Sequence, residues 1–170
     1  MKKIFTIAFI LLAGFATKSH AQGFKLGLGL EGALPLGNMK SAYNFGAGLT
    51  FRGAFSIDES SAVTVTTGAI AFLPKDLSNL GIDSKAQLNI PVKAGFKYNV
   101  GGPVYLIGEA GATIIRSYYS DANGDLQSVG STHFTYAPGL GVNLGGFDAS
   151  LRYEGYEGQS FMGLRLGFNF

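Results

Sequence analysis

A strict two-residue alternation of apolar side chains with polar or small ones recurs along this chain. It constrains the fold more than any motif does. It is cleanest at 88–99, where Leu88, Ile90, Val92, Ala94, Phe96 and Tyr98 alternate with Asn89, Pro91, Lys93, Gly95, Lys97 and Asn99. Successive side chains of a β-strand point to opposite faces, so this stretch is a strand with one apolar face. The last ten residues, FMGLRLGFNF, repeat the pattern. Met162, Leu164, Leu166, Phe168 and Phe170 share one face; Phe161, Gly163, Arg165, Gly167 and Asn169 share the other. A free apolar strand edge invites aggregation, whereas a strand closed against the first strand of a barrel exposes no edge.

The same reading predicts eight strands, at about 23–33, 43–55, 62–73, 88–99, 104–117, 133–144, 147–154 and 161–170. In the first, Phe24, Leu26, Leu28 and Leu30 oppose Lys25, Gly27, Gly29 and Glu31. The third is irregular: Val63 and Val65 share one parity, Ile70 and Phe72 the other. A parity switch near Thr67-Gly68 predicts a β-bulge there. Pro91 has no amide to give to a ladder, which predicts a bulge or a late start in the fourth strand. Long polar connections at 74–87 and 118–132 alternate with tight ones at 100–103 and 145–146. Such alternation is the mark of an antiparallel up-and-down barrel.

Met1-Lys2-Lys3, the apolar run Ile4 to Ala16 and the small residues of Ser19-His20-Ala21 read as a signal peptide at 1–21, cleaved before Gln22. The run is too short to span a bilayer as a helix, which needs about 20 residues. Residues 22–170 are then the mature domain. Lys2, Lys3 and Lys18 leave with the leader, so ten basic residues face eleven acidic ones. No basic surface remains to attract nucleic acid. Cysteine is absent, which excludes disulfides and thiolate metal sites.

Alternation alone does not separate a soluble barrel from a membrane barrel; the content of the polar face does. That face carries ten charges: Lys25, Glu31, Arg52, Lys93, Lys97, Glu109, Asp148, Arg152, Glu154 and Arg165. It also carries ten glycines, which a water-facing exterior does not need and a narrow interior does. The polar face is therefore expected to point inward and the apolar face toward lipid. Tyr43, Phe45, Phe55, Phe72, Tyr98, Phe134, Tyr136 and Phe147 lie near strand ends, where interfacial girdles form. Unpaired charge in a confined interior is costly, so the ten side chains should pair. Glu109 is expected opposite Gly95, with Lys93 and Lys97 as its diagonal neighbours.

Aromatic residues at the last and third-to-last positions, Phe170 and Phe168, resemble the assembly signal of bacterial outer-membrane barrels. The whole mature stretch resembles the small eight-stranded OmpA/OmpX-like outer-membrane β-barrel family. The resemblance implies an all-β, eight-stranded antiparallel transmembrane barrel in the outer membrane of a Gram-negative bacterium. It also implies insertion by the outer-membrane assembly machinery, and outer-membrane lipid as the surrounding partner. A monomer is expected, with a structural or surface-interaction role, no cofactor, no open pore and an external loop partner of unknown identity. Secretion-associated barrels are similar in style.

Catalytic chemistry has little to stand on here. G-x-G-x-x-G at Gly27, Gly29 and Gly32 falls inside a strand and lacks the helix that a nucleotide site needs. His133 is the one histidine outside the leader. Lipid A deacylases pair a histidine with a serine two residues on, where this chain has Thr135. A lipid A-modifying enzyme and a small pore remain as alternatives. The Asp and Glu residues show no metal-binding spacing, and SDANGD reads as a turn.

If Phe168 and Phe170 serve assembly, deleting Phe170 lowers the amount of heat-modifiable barrel in the membrane. Unchanged assembly on a denaturing gel would remove that role.

Overall fold

The computed structural model describes residues 23–75, 86–120 and 126–170. The predicted leader and its cleavage point lie outside these residues, as do 76–85 of the 74–87 loop and 121–125 of SDANGD. The chain forms eight strands: β1 (Phe24–Leu36), β2 (Tyr43–Ser56), β3 (Ser61–Pro74), β4 (Gln87–Gly101), β5 (Val104–Ser120), β6 (Leu126–Leu144), β7 (Phe147–Tyr156) and β8 (Gln159–Asn169). A single helical turn, α1 (Met39–Ala42), sits between β1 and β2. Each strand pairs antiparallel with the next, and β8 pairs with β1 to close the barrel.

Register fixes the shape. From Leu26 the pairing runs through Gly53, Val65, Ala94, Ala110, Tyr136, Gly155 and Ser160, and returns to β1 at Leu36, a stagger of ten residues. With ordinary strand rise and spacing, eight strands and that stagger give a tilt of about 40°. An interior of this size is filled by side chains. One end, the turn end, holds both strand termini of the seam and the connections 57–60, 102–103 and 145–146. Gly102 (φ +55°) and Gly145 (φ +59°) supply the left-handed backbone that these two-residue turns need. The opposite, loop end holds the connections 37–42, 75–86, 121–125 and 157–158.

Three expectations are corrected. β3 has no bulge near Thr67-Gly68: its pairing with β2 is continuous from Phe45↔Leu73 to Ser56↔Ala62. Thr64, Thr66, Ile70 and Phe72 all point inward. The apparent parity switch arises because the interior itself turns from polar to apolar along the axis. β4 has neither a bulge nor a late start at Pro91. Thr67↔Val92 and Ile70↔Asn89 keep one register across it, and only the rungs opposite the proline are missing. Finally, 118–132 is largely a paired hairpin, with Tyr118↔Ser128 and Ser120↔Leu126 extending the ribbon.

The outer surface is an apolar band. Leu28, Leu30, Leu49, Phe51, Val65, Val92, Leu106, Leu140, Leu164 and Leu166 are all exposed. Soluble monomers rarely expose contiguous apolar patches beyond a few hundred Å²; a band running round a closed barrel is a lipid-facing surface. Phe45, Phe55, Tyr98 and Phe147 point outward near strand ends; Phe134 and Tyr136, expected there too, also point outward but lie at the middle of β6, level with the end of its pairing to β7. Two of the expected girdle residues do not point outward. Phe72 is fully buried inside, and Tyr43 packs edge-on against it with its ring half-buried.

Leu30 is 64% exposed near the middle of β1. Leu30→Arg should destabilise the barrel in lipid vesicles by about 2–4 kcal/mol, the range for a cation at the bilayer midplane. Urea titration in vesicles reads this directly, and an unchanged midpoint would place that face in water.

Candidate functional site

The interior has three tiers, each set by which inward positions the register brings level. At the loop end Ala33, Met39, Ile70, Phe72, Ile115, Tyr156 and Phe161 form an apolar cluster. Phe161 meets Phe72 and Tyr156 edge-on, with ring centroids 5.2 and 6.4 Å apart. A polar strip runs beside it: Gln87 Nε2 donates to Asn89 Oδ1 at 2.8 Å, and Asn89 Nδ2 donates to the Tyr156 hydroxyl at 2.8 Å. Met39 of α1 completes this lid from above.

The middle tier is an ion cluster centred on Glu109. Arg152 Nη1 donates to Glu109 Oε2 at 2.8 Å, Arg52 Nη2 lies 3.5 Å from Oε1, and Lys93 Nζ lies 3.8 Å from Oε2. Thr66 donates its hydroxyl to the same carboxylate and accepts from Arg52 Nε at 3.1 Å. Arg152 also holds Glu31, and Lys93 holds Glu154. All of these charged groups are buried. Removing two such ions from water costs several kcal/mol each, which only close and multiple pairing offsets.

Glycine makes room for the charged groups of this tier and of the turn-end one. A Cβ at Gly95 would stand 2.7 Å from Glu109 Cγ, and a Cβ at Gly29 or Gly167 would stand 2.6 Å from the Arg165 guanidinium. The formal nucleotide motif is thereby explained in part: Gly29 makes room for an arginine, and Gly27 for Asn169.

At the turn end Asp148 is the hub. Arg165 Nη1 donates to it at 2.8 Å and the Tyr105 hydroxyl at 2.9 Å. Arg52 Nη1 and Lys97 Nζ each lie 3.6 Å from its oxygens. Lys97 also sits 3.7 Å from the centre of the Tyr105 ring. Lys25 lies exposed at the rim on the same inner parity.

Of the ten charges singled out in the sequence, eight are buried inside, Lys97 is half-buried and Lys25 is exposed at the rim. Glu109 lies opposite Gly95. It pairs with Lys93, whereas Lys97 turns to Asp148 instead. Its closer partners, Arg152 and Arg52, come from β7 and β2 across the lumen. Adjacent-strand reasoning does not see them. Phe168 and Phe170 point outward. The final residue closes the seam: Phe170 N–H donates to Leu26 O at 2.7 Å, and Leu26 N–H donates to Phe170 O at 3.0 Å.

His133 stands at the loop end. Its Nδ1 is 3.0 Å from Glu157 Oε2, and its Nε2 is 2.9 Å from Ser131 Oγ. The serine lies two residues before the histidine, not after. Thr135 is buried and donates to Gly155 O at 3.3 Å.

A closed eight-stranded barrel with a lipid-facing belt is a transmembrane β-barrel, and the comparisons agree with that class. The family model for the outer membrane protein beta-barrel domain matches residues 7–168, and the chain belongs to that family. No curated protein matches it. Among solved structures it resembles Ail of Yersinia pestis, in complex with the heparin analogue sucrose octasulfate: TM-score 0.63, 16% identity, 87% of this chain and 99% of that one. It also resembles the N-terminal barrel domain of Pseudomonas aeruginosa OprF: TM-score 0.62, 14% identity, 86% and 97%. The Neisserial surface protein NspA gives TM-score 0.54 at 14% identity, covering 87% and 96%. At these identities the likeness concerns the fold.

Glu109→Gln leaves Arg152, Arg52 and Lys93 facing a neutral amide. The folded barrel should lose about 3–5 kcal/mol, the range for removing one member of a buried ion pair. The readout is urea unfolding in vesicles. A loss near zero would mean that the cluster is hydrated and weakly coupled.

Proposed function

We propose that this chain is an outer-membrane barrel that works through its external rim, as a surface-interaction protein without an aqueous channel. One observation carries the reading. β5 and β6 pair with each other out to Ser120↔Leu126, yet the described pairing of β5 with β4 ends at Ser117↔Gln87 and that of β6 with β7 ends at Thr135↔Tyr156. The ribbon thus rises beyond its neighbours, with the β6 edge over 126–134 outside the barrel ladder. Such an edge offers backbone donors and acceptors to an added strand. Val129 and Phe134 on it are exposed.

In this reading the loop end faces outward, the turn end and both termini face the periplasm, and a leader cleaved before Gln22 directs export. Outer-membrane lipid surrounds a monomer that the assembly machinery inserts through Phe168 and Phe170. The buried ion cluster and the apolar lid support a filled lumen, so planar-bilayer recordings should show no conductance steps.

The chain has no cysteine, so single introduced cysteines report topology cleanly. Glu157→Cys should react with an impermeant maleimide on intact cells, and Glu59→Cys only after permeabilisation. The reverse pattern would invert the model. Shortening the ribbon at 118–130 should remove cross-linked species from intact cells while leaving barrel levels unchanged. Identical cross-links would contradict a role for the ribbon.

The order Glu157–His133–Ser131 favours a second reading, a lipid-acting hydrolase, because it aligns a carboxylate, an imidazole and a hydroxyl as a nucleophile relay requires. Ester release from lipid A by the purified barrel, abolished by Ser131→Ala, would support it. No release by the unaltered barrel would end it.

A further inference from the structure

The interior charge is unevenly placed along the axis. Its middle tier sets Lys93, Arg152 and, at longer range, Arg52 against Glu31, Glu109 and Glu154, whereas at the turn end Arg165, Lys97 and again Arg52 share Asp148, with Lys25 standing at the rim. Beside this cationic tier the barrel mouth opens into a cavity of about 240 Å³. Lys25, Arg52, Lys97 and Asp148 line it, together with Asn99, Asn143 and Asn169.

Arg52 is the telling residue. It is only 4% exposed, and neither of its terminal nitrogens has a hydrogen-bond partner among the described residues. Its nearest carboxylates, Glu109 and Asp148, stand at 3.5 and 3.6 Å, because each is already bonded more closely by another donor. A buried guanidinium with free donors is costly unless something accepts from it.

The other carboxylates lining the cavity do not fill that need. Asp58 accepts from the amides of Ser60 and Ser61, both at 2.7 Å, and Glu59 is exposed in the same turn. The amide bond from Ser60, more than any other contact, holds the Asp58 carboxyl below its usual range, so it stays ionised in place within its turn.

We infer that the turn-end cavity is an oxyanion-binding site, in which Arg52 at the floor and Lys97 and Lys25 at the mouth hold a phosphate or phosphate-monoester group. A guanidinium suits such a group because its donors match two oxygens at once, while the lysines add charge. The cavity is large enough for one tetrahedral oxyanion with some water, and the asparagines in its lining are residues whose side chains carry N–H donors. The same chemistry is offered by free phosphate and by a phospholipid headgroup at the inner leaflet.

The test uses the mature barrel refolded in zwitterionic detergent, with inorganic phosphate and dihexanoyl phosphatidic acid titrated separately by calorimetry at constant ionic strength. Binding of either compound, with chloride giving none, is the expected result. Phosphate alone marks a soluble ligand, and phosphatidic acid alone marks a headgroup. Lys25→Gln, at the exposed rim, should weaken binding by about threefold, and Arg52→Gln by about tenfold or more, since a hydrogen-bonded charge outweighs a rim charge. Heat-modified gel migration checks that each variant folds. If Arg52→Gln does not fold, Lys25→Gln alone decides. No binding of either compound, or binding that Lys25→Gln leaves unchanged in the folded barrel, would overturn the site.

Discussion

A backbone amide inside a bilayer has no water to bond, so each strand of this chain requires a neighbour on both sides. The β1–β8 seam meets that requirement through ten matched positions, from Gly27↔Asn169 to Leu36↔Ser160, and through the two Leu26–Phe170 bonds beyond them. Everything else follows from closure. The stagger of ten residues sets the tilt, the tilt sets the width, and the width decides which side chains meet across the lumen.

Closure also forces the interior to solve a problem of charge. Polar side chains must line the inside, since lipid takes the apolar face, yet the lumen is too narrow to keep each charge hydrated. Glu109 resolves this by drawing Arg152, Arg52 and Lys93 from three different strands onto one carboxylate. Asp148 does the same for Arg165, Tyr105 and, more loosely, Lys97 and Arg52. The pairing is tight in the middle and looser at the turn end, where cations outnumber carboxylates. The loop end avoids the problem altogether, with Phe72, Ile70 and Phe161 replacing ions by packed rings and aliphatic groups.

Much of this was legible in the sequence because a strand carries its own coordinate. Period two assigns each residue a face without any knowledge of neighbours, and a short connection narrows the register: the 100–103 stretch, which contains the shift between Asn99 and Gly101, sets Tyr105 opposite Asn99 and so Glu109 opposite Gly95. What the period does not encode is position along the axis. Ile70 and Phe72 sit on the inner parity of β3, yet as apolar residues they read as outward ones and suggested a bulge that does not exist. Partners across the lumen were hidden for a related reason. Arg152 lies 43 positions from Glu109 in sequence, and only the closed stagger brings them together. The Ser131–His133–Glu157 contact escaped notice because Glu157 belongs to a turn whose place at the rim depends on where β7 ends.

Amide hydrogen exchange of the barrel in lipid vesicles tests closure most directly. A closed ladder predicts that the amides at the centre of the seam, Leu28 to Ala33 in β1 and Leu164 to Phe168 in β8, exchange as slowly as those of β3 and β4 on the far side. Seam amides that exchange quickly while β3 and β4 stay protected would describe an open sheet, and would contradict the account.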